Sequence, residues 1–584
     1  MTRARILATA SLMLLACFVV AGQDGGGPPR QTPGAGIPAN RTFRPVTDAM
    51  LEKPEDGEWI NWRRTYDGTG YSPLNQINKN NVGQLQMVWA WGLYPGQSQP
   101  TPLVHDGIMF IPSPGGGVQA VDAVNGDPLW DYRAPAPSAG NGEVRNTPTR
   151  NIAIYGTNIY VATGDARLIA LDARTGKTVW DTQVYDAKLG YTYTSGPLAV
   201  KGVLINGVTG CQRYKNDVCY ITGHDARTGK ELWRTSTVAR PGEKGGETWE
   251  DLPLQFRAGG DAWITGSYDP GTGLVYWGTA QAKPWAQFQR GTVGDALYTN
   301  STLALEPLTG KMVWYFQHLP GETHDMDETF ERVLVDINGR SSIFTMGKLG
   351  ILWEIDRKTG KFVAAHDLGY QTLVDVDEKT GRASYRKDVI PINGKEFHFC
   401  PSSSGMKSLR AMAYHPETQA FYIPLNLTCE RGTFGPVQRV EGGGGSGPVK
   451  RINLMHPESP DGLGEFLAMN ATTGKIMWRH RTRTPPNTSA LTTAGGLAFV
   501  GNFNRYFYAY DIASGKILYT SPRMPTALQG YPITYAVNGK QYIAMPVGTG
   551  GGGWSGGIVS DLIPDQKIAA GTNSMFVFAL PDKN

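Results

Sequence analysis

Seven stretches of this chain are variants of one another, and a segment repeated that often constrains the architecture more than any other feature. They are AVDAVNGDPLW (Ala120–Trp130), ALDARTGKTVW (Ala170–Trp180), GHDARTGKELW (Gly223–Trp233), ALEPLTGKMVW (Ala304–Trp314), EIDRKTGKFVA (Glu354–Ala364), AMNATTGKIMW (Ala468–Trp478) and AYDIASGKILY (Ala509–Tyr519). Each reads as a strand, a turn built mostly on Thr-Gly or Asn-Gly, and a second strand that usually closes on Trp. An Asp at the third position can accept hydrogen bonds from turn amides, and the Gly tolerates φ > 0. The closing Trp fills the space between neighbouring sheets. Successive copies are 50, 53, 81, 50, 114 and 41 residues apart. The short intervals suit one four-stranded blade of a β-propeller, each copy forming its outer edge. The long intervals leave room for a degenerate blade or for large insertions.

Composition agrees. A chain of 584 residues exceeds the usual domain size, but a propeller grows by adding blades round one axis. Its 74 Gly and 26 Tyr fit many short strands joined by tight turns. The net charge of +4 carries no basic tract of the kind that binds nucleic acid. Beyond the N-terminus no apolar run reaches the ~18 residues a membrane-spanning helix needs.

The first 22 residues read as an export signal: Arg3 and Arg5 precede an apolar run from Ile6 to Ala21, and Ala21-Gly22 offers a cleavage point. Lipidation at Cys17 is the less favoured alternative, because Phe18-Val19-Val20 follows it directly. Export to the periplasm is expected. Residues 23–44 form a Gly/Pro-rich segment and 45–584 a single propeller. Removal of Cys17 leaves four cysteines in an oxidising compartment. Cys211 with Cys219 and Cys400 with Cys429 is the economical pairing. No C-x-x-C-H haem site occurs.

Other segments are specific to one group of proteins. They are the opening NW-x(8)-YSPLNQIN from Asn61, SYDPGTGLVYWGT (Ser267–Thr279), DALYTNSTLAL (Asp295–Leu305), ALTTAGGLAFVG (Ala490–Gly501) and GTGGGGWSGG (Gly548–Gly557). With the tryptophan repeats, they make the chain resemble the quinoprotein alcohol dehydrogenases from about residue 45 to residue 582. The resemblance implies an all-β, eight-bladed propeller holding pyrroloquinoline quinone (PQQ) on its axis. The Gly-rich segment alone could pass for a dinucleotide loop, but it follows a strand and leads to no βαβ unit.

The resemblance also implies a site. PQQ is a flat, tricarboxylated ortho-quinone, and Trp263 aligns with the tryptophan that stacks on it. Lys348, in FTMGKLGILWEID, matches a basic residue near the quinone oxygens, where a cation stabilises the charge of reduction. Gln99, Arg150, Thr194, Cys211, Asp261 and Trp554 fall at or beside cofactor-contacting positions. Asp325, in GETHDMDETFE, matches the family's catalytic Asp, which removes the alcohol proton as hydride leaves the neighbouring carbon. Spacing alone would make Asp325 and Asp327 solvated loop carboxylates, clustered with Glu322, Glu328 and Glu331. The implied metal is Ca²⁺, with a lanthanide as the alternative, held by Gln212, Gln281, Asp325 and Asp327 and polarising the quinone carbonyl.

Here the chain departs from its relatives. Gln212 stands where the family has Glu, Gln281 where it has Asn, and His324 where it has Trp. The stretch Ser138–Asn151 lacks the adjacent cysteines that cover PQQ in methanol and ethanol types. Cys211–Cys219 is expected to brace the pocket from another blade. Cys400–Cys429 matches a purely structural family staple. These departures favour a primary or secondary alcohol larger than methanol, with sugars and polyols open. Loops between Phe397 and Met469, including EGGGGSGPVKR (Glu441–Arg451), are expected to cover one face. Without a haem domain, an external periplasmic cytochrome c is the implied electron acceptor. The competing class is a non-catalytic propeller scaffold of the bacterial outer membrane.

Overall fold

The seven repeats pair with themselves. In each, the first residue faces the last across two antiparallel strands: Ala120 opposes Trp130, Ala170 opposes Trp180, Gly223 opposes Trp233 and Ala304 opposes Trp314. The same register brings Glu354 to Ala364, Ala468 to Trp478 and Ala509 to Tyr519. In most copies a small residue thus opposes a large ring. A Cβ on Gly223 would sit 2.2 Å from Trp233, so that copy can only be glycine. The third-position acid works as its chemistry requires. Asp172, for example, accepts hydrogen bonds from the amides of Arg174 and Thr175 at 3.1 and 2.9 Å.

The computed structural model describes residues 36–135, 147–548, 554–567 and 572–582. Among them the fold is all-β, built from seven four-stranded sheets and one of five strands, with a few short helices. In chain order the sheets begin with the strands Leu103–His105, Ala153–Tyr155, Leu198–Val200, Ser267–Asp269, Val333–Ile337, Ala413–His415, Leu491–Thr493 and Ile533–Val537. Each repeat supplies the third and fourth strands of one sheet. The last sheet takes its outer strand, Gln86–Leu93, from the start of the chain and pairs it with Asn573–Ala579 near the end. A sheet assembled from both ends of the chain cannot show a contiguous strand-turn-strand repeat, so the sequence carries seven copies.

The closing residue of each sheet docks on the turn of the next. Trp130, Trp180, Trp233 and Trp478 donate their indole N–H to the carbonyls of Ala173, Ala226, Pro307 and Ile512 at 2.9–3.1 Å. Trp314 lies over Gly360, and His366 lies over Gly474. Tyr519 donates to the carbonyl of Leu85, and Trp89 from the last sheet lies over Gly126 in the first. Gly176 shows why the turn needs glycine: its φ is +68°, and a Cβ there would sit 2.6 Å from Trp130. Trp130 is only 2% exposed. Trp130→Ala is therefore expected to destabilise the protein by about 3–5 kcal/mol, seen as a lower urea midpoint.

Both long intervals hold insertions. The first contains short 3-10 turns and a two-stranded ribbon of Ala258–Gly259 and Ala282–Lys283. The second contains a hairpin, Val374–Val376 with Ala383–Tyr385, and a three-stranded sheet of Glu396–Phe399, Thr428–Phe434 and Val449–Met455. Cysteines 211 and 219 are disulfide-bonded, as are 400 and 429. No helix of the described residues is long and apolar enough to cross a membrane.

Candidate active site

The site is assembled from short segments just ahead of the first strand of successive sheets. Gln99, Arg150, Thr194, Trp263, Asp325, Arg410 and Gln529 all lie a few residues before such a strand. Hydrogen bonds tie neighbouring segments together. Thr101 N–H donates to the carbonyl of Arg150 at 2.7 Å, Arg150 N–H to that of Thr194 at 3.2 Å, and Tyr531 N–H to that of Pro100 at 2.9 Å. Beneath them Arg63, from the opening motif, is fully buried and donates to Ser489 Oγ and to the carbonyls of Met412 and Ala490. Trp62, Ile264, Phe330, Ala411 and Tyr531 form an apolar plug there.

Above this plug is a cavity of about 350 Å³, the size of a small-molecule site. Among the described side chains, every sequence-predicted site residue lines it except Cys211. Trp263 is half-buried, its ring edge-on to Phe330 at 5.2 Å and beside the Arg150 guanidinium at 5.0 Å. Arg150 donates from Nε to Gln99 Oε1 at 2.7 Å, and burial pushes its pKa down to about 10, so it stays charged at neutral pH. Trp554 opens the helix Trp554–Leu562, and its side chain lies outside the described residues. Cys211 sits behind the wall: its N–H donates to Asp261 Oδ1 at 3.1 Å. The disulfide thus braces the backbone that holds Asp261 and does not itself face the cavity.

Asp325, Asp327, Lys348 and Lys283 form the charged centre. Lys348 Nζ lies 2.8 Å from the Asp325 carbonyl oxygen, 3.1 Å from Asp325 Oδ2 and 2.8 Å from Asp327 Oδ2. Three acceptors use all three donors of that ammonium. Burial disfavours the Lys348 charge, but Asp325 and Asp327 outweigh it and hold the pKa above its ordinary value. Burial raises the pKa of Asp325, opposed by Lys348 and Lys283. Gln281 Nε2 donates to Asp325 Oδ1, and Lys283 Nζ stands 3.7 Å from the same oxygen.

Asp325 itself is left-handed, with φ +68°, a conformation Asp tolerates better than most residues. Glu322 holds that turn, its Oε1 accepting from the amides of His324 and Met326. The acidic cluster is no solvated face: Glu322, Asp325, Asp327, Glu328 and Glu331 are each at most 6% exposed. Burial raises the Glu322 pKa to about 7. The folded state therefore keeps a proton that the unfolded chain releases above its ordinary value of 4.5. That contribution to stability is complete below pH 4.5 and is lost as pH rises to about 7. Glu322→Gln should become more stable relative to the parent by up to about 3 kcal/mol across that window, read from urea unfolding at each pH.

Two expectations bear on this geometry. His324 does not line the cavity. It packs 4.3 Å from Phe399, its Nε2–H donates to the Val389 carbonyl at 2.7 Å, and burial lowers its pKa to about 4. The other concerns the metal. Gln212 is solvent-exposed, with its carbonyl tied to the Gly445 amide at 2.7 Å. Asp325 has an ammonium on each side, and Asp327 Oδ2 is spent on Lys348. A divalent or trivalent ion needs six or more oxygen ligands and a surplus of negative charge. This donor set does not fit it.

A tricarboxylated quinone does fit. Four cations (Arg150, Lys283, Lys348 and Arg410) face three carboxylates (Asp261, Asp325 and Asp327) round the cavity. The buried Thr194 Oγ1, Gln281 Oε1 and Gln529 Oε1 have no hydrogen-bond partner among the described residues. No sequence motif singles out Lys283, Arg410, Gln529 or the Ser403–Ser404 wall. Lys283 stands in GTAQAKPW as a mere spacer, and nothing local signals where its side chain goes.

The family model described as "PQQ: Glucose/ethanol/alcohol dehydrogenase, beta-propeller domain" matches residues 59–367 and 458–543 of the chain. The chain belongs to the PQQ-dependent alcohol dehydrogenase family. A relative from Komagataeibacter europaeus, the dehydrogenase subunit of an alcohol dehydrogenase (quinone), is 34% identical over 539 residues, covering 85% of this chain and 72% of the relative. Among solved structures, the quinohemoprotein alcohol dehydrogenase ADHIIG of Pseudomonas putida HK5 superposes with a TM-score of 0.83. It is 28% identical, with 93% of this chain and 83% of that chain covered. A europium-containing methanol dehydrogenase also superposes at 0.83, with 26% identity and coverage of 91% and 100%. Between the two matched stretches of this family member, 368–457 carries the second insertion, and with it Ser403, Ser404 and Ser446 of the cavity wall.

Proposed function

We propose that this protein is an eight-bladed quinoprotein that oxidises a primary or secondary alcohol larger than methanol to its aldehyde or ketone. The reading of eight blades is supported by the eight sheets of four or five strands among the described residues and by Trp89 of the last lying over Gly126 of the first. PQQ supplies the two-electron acceptor when bound. Trp263 would lie against its ring, and Arg150, Thr194 and Gln99 would hold its polar groups. Asp325 takes the hydroxyl proton as hydride leaves the carbinol carbon, leaving a carbonyl product. Lys348 fixes the Asp325 carboxylate and supplies positive charge beside it. The observation that carries this reading is the meeting of Asp325, Lys348 and Trp263 in one buried cavity of a family member. The two disulfides suit a periplasmic location, and a periplasmic cytochrome c is the proposed electron acceptor.

The test is dye-linked oxidation by the full chain reconstituted with PQQ, across methanol, longer alcohols, aromatic alcohols and sugars. Turnover that depends on PQQ and favours alcohols larger than methanol is expected. Turnover without PQQ, or with methanol best, would contradict the proposal.

A further inference from the structure

Lys283 is the one cation at the charged centre that the alcohol-oxidising machinery described above leaves without a task. It comes from the short ribbon Ala258–Gly259 with Ala282–Lys283, and its side chain is 11% exposed. Its ammonium stands 3.7 Å from Asp325 Oδ1 and 5.0 Å from the centre of the Trp285 ring, and it lines the cavity. It also opposes the effect of burial on the Asp261 carboxyl across the site. Lys348 has spent its three donors on Asp325 and Asp327. Among the described residues Lys283 Nζ makes no hydrogen bond shorter than its 3.7 Å contact with Asp325, so its donors face the cavity unspent.

Charge counting points the same way. A site holding a dication needs two carboxylates beside it for neutrality, the family's Glu and the catalytic Asp. Here the Glu is replaced by Gln212, which removes one negative charge. Of the two negative charges on Asp325 and Asp327, Lys348 balances one, and Lys283 is the single positive charge left to balance the other. Resting on the quinoprotein reading above, we propose that the Lys283 ammonium is the resident cation of this site. The protein binds PQQ and oxidises its substrate without a calcium or lanthanide ion. The ammonium supplies positive charge and N–H donors beside the acceptor's carbonyl oxygens, where reduction places negative charge.

The test uses the full chain stripped of metal by chelation, with metal content measured by mass spectrometry. PQQ binding is followed by tryptophan fluorescence quenching, and dye-linked turnover is measured in EDTA and after adding Ca²⁺ or La³⁺. The parent should bind PQQ with well under one equivalent of metal, and its turnover in EDTA should change by less than about twofold when either ion is added. Lys283→Ala should bind PQQ about tenfold more weakly and lose about 100-fold in turnover, while Lys283→Arg keeps turnover in EDTA within about tenfold. Melting curves separate these effects from misfolding. The inference is overturned if the parent binds PQQ but turns over only with added metal, or if Lys283→Ala retains parental turnover in EDTA. Failure of the parent to bind PQQ under every metal condition would instead overturn the quinoprotein reading, and this inference with it.

Discussion

Replacing Asp325 by alanine is expected to lower turnover by about 10³-fold without weakening PQQ binding. The two effects separate because the carboxylate has two roles of opposite sign. As a base it is required for the chemical step, since no other carboxylate of the cavity meets both ammonium groups. As a charge it opposes the approach of a tricarboxylated ligand. Its removal leaves Lys283 without its carboxylate partner and Lys348 with Asp327 alone, so PQQ affinity should hold or rise. Asp325→Asn should behave similarly, because an amide keeps the shape but not the basicity. Equal losses of affinity and turnover would mean that Asp325 organises the site and takes no proton. The pH profile follows from burial. The base must be ionised, and its pKa lies above the ordinary carboxylate value of 3.8. The acid limb of kcat/KM should therefore lie above that value, with activity rising as pH passes through it.

Lys348→Met should lower both turnover and PQQ affinity, and should also destabilise the fold. The ammonium is 7% exposed and links Asp325 to Asp327, so its loss leaves two buried carboxylates without their shared partner. Breaking a buried pair in this way costs about 3–5 kcal/mol. Turnover should fall by about 10²–10³-fold, because the positive charge beside the developing anion is lost. The acid limb of the pH profile should also move upward, since Lys348 is the largest of the charges that oppose burial at Asp325. Unchanged stability would contradict the ion-pair geometry. Unchanged turnover with lower stability would make the residue purely structural.

Legibility in the sequence tracks how local each interaction is. The blade edge is a contiguous unit of eleven residues whose first and last members face each other, so its small-to-large pattern survives in one dimension. The last sheet draws on both chain ends and leaves no such trace. The same turn chemistry recurs at Asp377–Gly381, with Phe362 over Gly381, but it closes a two-stranded hairpin with no Trp at its end, so the eleven-residue pattern does not extend to it. In the site, Asp325, Lys348, Trp263 and Arg150 were reachable through motifs. Lys283 and Glu322 were not. The meaning of a lysine in a ribbon, or of one acid among five, depends on which carboxylate or amide the rest of the fold brings to it. His324 shows the converse: a substitution at a motif position says nothing of direction, and this ring turns into an aromatic pocket.

The most direct test of the central claim is a single turnover. Full chain loaded with PQQ would be mixed anaerobically with a long-chain or aromatic alcohol, with no electron acceptor present, and the quinone absorbance followed beside that of Asp325→Ala. The expected result is reduction of one PQQ per chain with release of one carbonyl product, and almost none on the same timescale in the variant. PQQ that stays oxidised in the parent, or is reduced equally fast in both proteins, would contradict the assignment of this cavity and this carboxylate to alcohol oxidation.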